Sequence, residues 1–354
     1  ANITYADVER MVANQGLEST LEDLYEAGIY VEFEEVKGRK PIIRDGLELH
    51  VEASDFDTPN IKAVMQSQSG GSTGAPTRTR FDFENLKQKA VEQVITYHMF
   101  DRLHMPTALW SGLLPLTSGF GNVLRLDTMN HSLERWFTPI KGQQANLSRY
   151  YNLLNGVMFT LIRLHGINVP KPEYISLDDP LPIVKWAVEA VQREGACAIR
   201  ASVSKAVRIS QTALQNGYDL TGVSFFGGGE PLTKVRCQNP MTPDDVHHMA
   251  NATAFIQRPV EIFDQTVNAF CFTTLLPSSS KTLLNAQLDD FGIVETRDCG
   301  CLLHQLGFTT HMRQIRSYRK LTGEGMTLVG SDMVRILEED LPAQFGGSLT
   351  DYQL

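Results

Sequence analysis

The residues best equipped for chemistry form one loop, Ser69-Gly70-Gly71-Ser72-Thr73-Gly74-Ala75-Pro76-Thr77. Glycines let a backbone turn tightly, so that successive N–H groups can converge on an anion. Ser69, Ser72 and Thr73 add hydroxyl donors, and the helical pattern that follows would turn its positive end the same way. This is the composition of a phosphate cradle. It is not a Walker loop, because no Gly-Lys-Ser/Thr closes it, and it is not a dinucleotide fingerprint. On composition alone, a flexible glycine–serine linker accounts for it equally well.

A second constellation is soft and metal-like. Nine residues separate Cys237 from His247, and Cys299-Gly300-Cys301 follows further on. Three thiolates and one imidazole satisfy tetrahedral zinc, and four protein ligands make a closed, structural site. His248 competes for the imidazole role, and buried free cysteines are the plain alternative. Cys197 and Cys271 sit in apolar runs and read as core.

Three further stretches are polar punctuation: Pro115-Leu116-Thr117-Ser118-Gly119-Phe120-Gly121, Gly227-Gly228-Gly229-Glu230-Pro231-Leu232 and Leu288-Asp289-Asp290-Phe291-Gly292. Taken singly, the second is a tight turn after a strand and the third a solvated turn.

The elements that must carry these loops follow from periodicity. Residues 1–35 alternate apolar and acidic residues at helical spacing and predict two helices. Residues 42–68 give short β-like pieces. Phe83 to Leu103 predicts an amphipathic helix with Leu86, Ala90, Val94, Ile95 and Met99 on one side. Helical stretches at 144–165 and 182–195 alternate with apolar pieces at 198–200 and 222–226, which predicts an α/β body of strands feeding helices. From about Cys237 to Phe308 the texture is short β-like runs, and Ser331 to Leu341 reads as a helix.

The 354 residues carry 32 Lys and Arg against 41 Asp and Glu, a net charge of -9. No basic stripe exists to track phosphates along a duplex, which argues against nucleic acid as a partner. The longest apolar run, at 156–162, is too short to span a bilayer. The N-terminal residues carry acids early and do not read as a signal peptide. Five cysteines are too few for a secreted disulfide scaffold, so a cytoplasmic location is the expectation. Monomer and homodimer both remain open.

In this setting the loops resemble a known family. Gly71-Ser72-Thr73-Gly74-Ala75-Pro76 is similar to the phosphate loop of the adenylate-forming enzymes, the acyl-CoA synthetase and luciferase superfamily. Thr77 stands where the usual lysine follows the proline, a departure typical of the phenylacetate-CoA ligase branch. The other three stretches resemble, in the family's order, the segment beside the acyl pocket, the turn against adenine and the segment whose aspartate holds the ribose. Arg316-Ser317-Tyr318-Arg319-Lys320-Leu321-Thr322-Gly323-Glu324-Gly325 resembles the hinge before a small C-terminal domain.

The resemblance implies a large N-terminal domain over residues 1–315, with a zinc-stabilised β subregion at 237–301, and a hinge and the start of a second domain at 316–354. It implies that Ser69, Gly70, Gly71, Ser72, Thr73 and Gly74 hold the phosphates of ATP with Mg²⁺. Gly228, Gly229, Glu230, Pro231, Asp290 and Arg316 would hold adenine and ribose, with Asp289 in a glycine position. Trp110, Ser118, Gly119 and Phe120 would line the acyl pocket, and Cys237, His247, Cys299 and Cys301 would bind zinc. The implied activity is ATP-dependent formation of an acyl-adenylate from an aryl or arylacetic acid, then transfer to coenzyme A. An amine or hydroxyl acceptor is the alternative, and a catalytically silent nucleotide-binding protein is a further one. The resemblance departs in two places. Only Leu232 to Arg236 stand where an aromatic-Gly-x-Ser/Thr-Glu loop is expected, and the family's catalytic lysine would lie beyond Leu354.

Overall fold

The computed structural model describes residues 3–59, 61, 65–68, 78–114, 118–131, 133–140, 148–227, 245–262, 265–318, 322–323, 326–327, 336 and 340–346. The chain is α/β and divides into two compact units. One comprises Ala1–Ala63, Gln68–Phe81 and Asp244–Leu354, the other Val64–Ser67 and Asp82–Pro243. No described helix is long and apolar enough to cross a membrane.

The second unit is built on a five-stranded sheet in the order Val223–Gly227, Cys197–Ala201, Thr107–Trp110, Leu133–Thr138, Glu173–Tyr174. Every neighbouring pair is parallel. Parallel strands need crossovers, and helices supply them on both faces. Period-two alternation then splits the apolar residues between two cores. Ala108, Trp110, Phe137, Cys197 and Ile199 pack toward the helices Leu181–Glu194 and Val203–Gln215. Leu109, Trp136 and Ala198 pack with Tyr97, Phe120, Val123 and Ile162 from the helices Phe83–Met99, Ser118–Thr128 and Ser148–Leu164. The helices expected at 83–103, 144–165 and 182–195 are, among the described residues, Phe83–Met99, Ser148–Leu164 and Leu181–Glu194.

One expectation changes. The helix Phe83–Met99 buries Asn85, Leu86, Ala90, Gln93 and Tyr97, whereas Val94, Ile95 and Met99 are only half-buried. Tyr97 explains the rotation: its ring stacks on Phe226 with centroids 4.2 Å apart and an interplanar angle of 10°. Burying that ring turns a polar stripe inward with it. Gly119 has a packing reason of its own. A Cβ there would lie 2.4 Å from both the Gly112 carbonyl oxygen and the Trp136 ring, so only glycine lets the helix Ser118–Thr128 approach so closely.

The first unit holds an antiparallel sheet in the order Asp245–His247, Thr310–Ser317, Ala286–Thr296, Gln265–Thr274, Thr253–Ile262. Val31–Glu32 adds to it in parallel beside Ala286 and Gln287. The short runs expected between 237 and 308 are in fact long strands of 10, 10 and 11 residues. One face of this sheet is partly open, so polar residues interrupt the apolar pattern without interrupting the strand. The two expected N-terminal helices are Tyr5–Gln15 and Leu17–Glu26, and Leu21 from the second packs on Ala254, Ile256 and Cys271. Glu35, fully buried, is clasped by Arg44 through two contacts of 3.0 Å. The helix expected at 331–341 lies almost wholly outside the described residues.

Candidate functional site

Ser69, Gly70, Gly71, Ser72, Thr73, Gly74, Gly228, Gly229, Glu230, Pro231 and Cys237 lie outside the described residues. Their flanks are described. Strands Met65–Gln68 and Arg78–Phe81 flank residues 69–77, and Val223–Gly227 ends just before residues 228–231. The described elements around residues 69–77 are therefore strand, strand and helix, one strand more than the sequence pattern suggests. The helix begins under its own cap: the Asp82 carboxylate accepts the Asn85 N–H at 2.8 Å, so its positive end already meets a negative charge.

Asp290 is half-buried on the strand Ala286–Thr296 and pairs across the sheet with Ser317, while Arg316 is exposed and pairs with Phe291. The two residues come from positions far apart in sequence and stand one register step from each other. The pleat sends their side chains to opposite faces. Asp289, beside them, is buried and held at φ 68, and its carbonyl accepts the Tyr318 N–H at 3.0 Å. That left-handed backbone is uncommon outside glycine. It falls on the position where the resemblance expects a glycine.

The four acyl-pocket candidates are not brought together on one surface. Trp110 is fully buried on one face of the parallel sheet and Phe120 on the other. Gly119 is buried against Trp136. Ser118 is exposed, with its hydroxyl 3.0 Å from that of Ser111.

The thiol and imidazole candidates do converge. His247 Nε2 lies 3.4 Å from Cys299 Sγ and 3.2 Å from Cys301 Sγ, and the two sulfurs are 3.1 Å apart. A tight turn makes this possible, since Gly300 sits at φ 69 and lets both cysteines face inward. His247 Nδ1 donates to the Phe308 carbonyl at 2.7 Å, which fixes the tautomer and leaves Nε2 for a metal. Burial, assisted by the neighbouring His311, holds the His247 ring below its ordinary pKa and so keeps it neutral. Burial opposes ionisation of Cys301, but the Cys299 thiol and the backbone N–H groups of Leu303 and His304 outweigh it and draw that pKa down. Cys299, which donates to Cys301, is pushed up in consequence.

His248, the competing imidazole, instead bonds Thr253 at 3.1 Å and packs edge-on against Phe255. Cys197 and Cys271 are buried, and burial pushes both thiols up to about 12, in keeping with core roles. Sequence reasoning missed the support around His247. His311 lies opposite it across the strands, ring centroids 4.0 Å apart, and binds Asp245 at 3.0 Å, which in turn pairs with Arg297. The pattern Asp245-x-His247 was the only trace of this in the sequence.

No family model matches the chain, and no curated protein does. Among solved structures, 2-hydroxyisobutyryl-CoA ligase in an open conformation, in complex with 2-HIB-AMP and CoA, matches 94% of this chain and 69% of its own at 11% identity and a TM-score of 0.49. This chain is similar to an acid–CoA ligase. The same ligase in its postadenylation state with 2-HIB-AMP matches 87% of this chain and 62% of its own at 12% identity and a TM-score of 0.48. McyG A-PCP complexed with phenylalanyl-adenylate matches 94% of this chain and 51% of its own at 11% identity and a TM-score of 0.34. The chain thus spans 62% to 69% of the ligase's length.

Proposed function

We propose that this chain belongs to the adenylate-forming superfamily, in its phenylacetate-CoA ligase-like branch, and activates a carboxylic acid with ATP. The observation that carries the reading is the backbone at Asp289. A buried aspartate held at φ 68 on the family's glycine position supports the alignment that gives the ribose to Asp290. A carboxylate can accept both vicinal hydroxyls of a ribose.

A carboxylate resists nucleophiles because its negative charge repels them. One of its oxygens attacks the α-phosphorus of ATP, the bond to the β-phosphate breaks, and pyrophosphate leaves. The mixed anhydride that remains has a far better leaving group. In this reading the amides and hydroxyls of Ser69 to Gly74 neutralise the departing phosphates together with Mg²⁺. Gly228 to Pro231 lie against adenine; Arg316, on the face opposite Asp290, would reach the nucleotide only around the strand edge. The acyl group then passes to coenzyme A, and the resemblance favours an aryl or arylacetic acid. The domain division at residues 315 and 316 belongs to the same reading.

The thiol–imidazole cluster fits zinc on its own chemistry: soft donors within 3.1 to 3.4 Å of one another and a neutral imidazole with its outer nitrogen already bonded. His247, Cys299 and Cys301 would hold the ion, with Cys237 as the fourth ligand and a structural rather than chemical task.

The test is carboxylate-dependent exchange of pyrophosphate into ATP by the full-length protein over a panel of aryl and aliphatic acids. Asp290→Ala should raise the KM for ATP by about 10- to 100-fold, the loss of a charge-assisted bidentate contact. Product formation without any thiol would move the acceptor from coenzyme A to an amine or hydroxyl. Absence of exchange with every acid, at verified ATP binding, would leave a silent nucleotide-binding protein.

A further inference from the structure

The inward stripe of the helix Phe83–Met99 is polar at every fourth residue: Asn85, Lys89, Gln93, Tyr97. Across from it stand Asn122 and Arg125 on the helix Ser118–Thr128, and Arg200 near the end of the strand Cys197–Ala201. Asn122 Oδ1 accepts from Arg125 at 3.0 Å and from Arg200 at 3.1 Å, and Arg125 Nε donates to the Gly121 carbonyl at 3.1 Å. Two guanidinium groups therefore share one neutral oxygen. Among the described residues no carboxylate lies within ion-pair distance of either.

Gathering two half-buried cations around one neutral amide is unfavourable. Arg125 registers that cost: burial first and Arg200 second pull its pKa down to about 10, against the opposing influence of Glu92 and Tyr97. Deeper in, the Gln93 amide nitrogen closes no hydrogen bond although the residue is only 7% exposed, and the Tyr97 hydroxyl, 0% exposed, is approached by Arg200, Thr107 and Gln93. Native interiors leave few such atoms unsatisfied. Two charged forks, beside an amide and a hydroxyl that can each donate as well as accept, make a donor-rich set suited to an anion.

Position narrows which anion. Arg200 pairs in register with Phe226, one residue before the end of the strand Val223–Gly227, which leads into the turn assigned to adenine. Open parallel sheets bind ligands at the carboxyl ends of their strands. In the proposed reaction the triphosphate is already assigned to Ser69–Gly74, and the activated carboxylate loses its charge on forming the anhydride.

We propose that the acid is a dicarboxylic acid, whose second carboxylate seats on Arg125 and Arg200 with Gln93 and Tyr97 at its inner side. This rests on the ligase reading above. One carboxylate oxygen bonds to the α-phosphorus as pyrophosphate leaves, and the other carboxylate stays ionised and unchanged.

The experiment is pyrophosphate exchange by the full-length protein with glutarate, adipate and homophthalate, each against the matching monoacids pentanoate, hexanoate and phenylacetate. Diacids should exceed their monoacids in kcat/KM at least tenfold. Arg125→Gln and Arg200→Gln should each lower diacid kcat/KM by about 100-fold, mainly through KM, and so collapse that preference. In parallel, wild-type protein is modified with phenylglyoxal and mapped by mass spectrometry, which requires neither turnover nor a folded variant. Homophthalate should protect Arg125 and Arg200 where phenylacetate does not. Equal exchange with diacids and monoacids, or equal labelling with and without diacid, overturns the inference and leaves the ligase reading standing. Selective protection without any exchange keeps the anion site and removes the ligase reading instead.

Discussion

The two sheets place their polar chemistry differently. In the parallel sheet both faces are covered by helices, strands run only 2 to 6 residues, and the polar groups caught in the layers are few, with Arg125 and Arg200 sharing the one Asn122 oxygen. In the antiparallel sheet, where one face is partly open, polar groups cluster in larger number: His247 meets the two cysteines, and His311 Nδ1 meets Asp245, which meets Arg297, while His311 Nε2 reaches no partner. A covered sheet can offer ligands only its strand ends, whereas a half-open sheet can build a site on its surface and in its connections. The first kind needs a ligand to complete it. The second gathers its own donors before any ligand arrives.

That contrast can be broken or sharpened by mutation. The largest effect is expected at the self-assembled cluster. Cys301→Ser should weaken cobalt(II) binding by about 100-fold or more, read from the thiolate-to-cobalt absorption band. His248→Ala should leave that band in place, and a band lost equally in both variants would remove the site.

Next comes Glu35, the most deeply buried charge of the antiparallel unit. Glu35→Ala leaves Arg44 without its partner and should cost about 3–5 kcal/mol in urea unfolding. Burial alone would raise the Glu35 pKa, but Arg44 and the Glu32 backbone N–H outweigh it and draw it down. A folded pKa below the unfolded one means that the pair contributes fully above the unfolded carboxylate value of about 4.3 and loses its contribution as pH falls through the folded value. The penalty of the mutation should therefore shrink between pH 7 and pH 3, and a penalty independent of pH would refute the ionised pair.

In the parallel unit the largest cost should come from close packing. Gly119→Ala drives a methyl into Trp136 and the Gly112 carbonyl and should destabilise by about 1–3 kcal/mol. Gly156→Ala, in the helix Ser148–Leu164 with open space around it, should instead stabilise by about 0.5–1 kcal/mol. Equal melting shifts for the two would mean that the helix Ser118–Thr128 is not held where it stands. The smallest effect is the cap: Asp82→Ala should cost about 1 kcal/mol by thermal melting.

Much of the scaffold is written locally. The helices at 83–99, 148–164 and 181–194 follow from their periodicity and the strands at 197–201 and 223–227 from their apolar runs, because helix and strand period are properties of neighbouring residues. So are the Cys-Gly-Cys turn and the polar stripe at every fourth residue of the Phe83 helix. Which way that helix faces was not local. Its apolar residues permit either rotation, and only Phe226, 129 positions from Tyr97, selects the one that buries Gln93.

The same limit applies to every site. The sequence by itself determined which donors exist, the thiols, the imidazoles and the guanidinium forks, and how they repeat along single elements. The tertiary structure alone decided that His247, Cys299 and Cys301 stand within reach of one another, that Trp110 and Phe120 part to opposite faces, and that Arg125 and Arg200 share Asn122. The reason is physical: alternation along a strand tells which residues share a face, but not which distant strand or helix that face will meet.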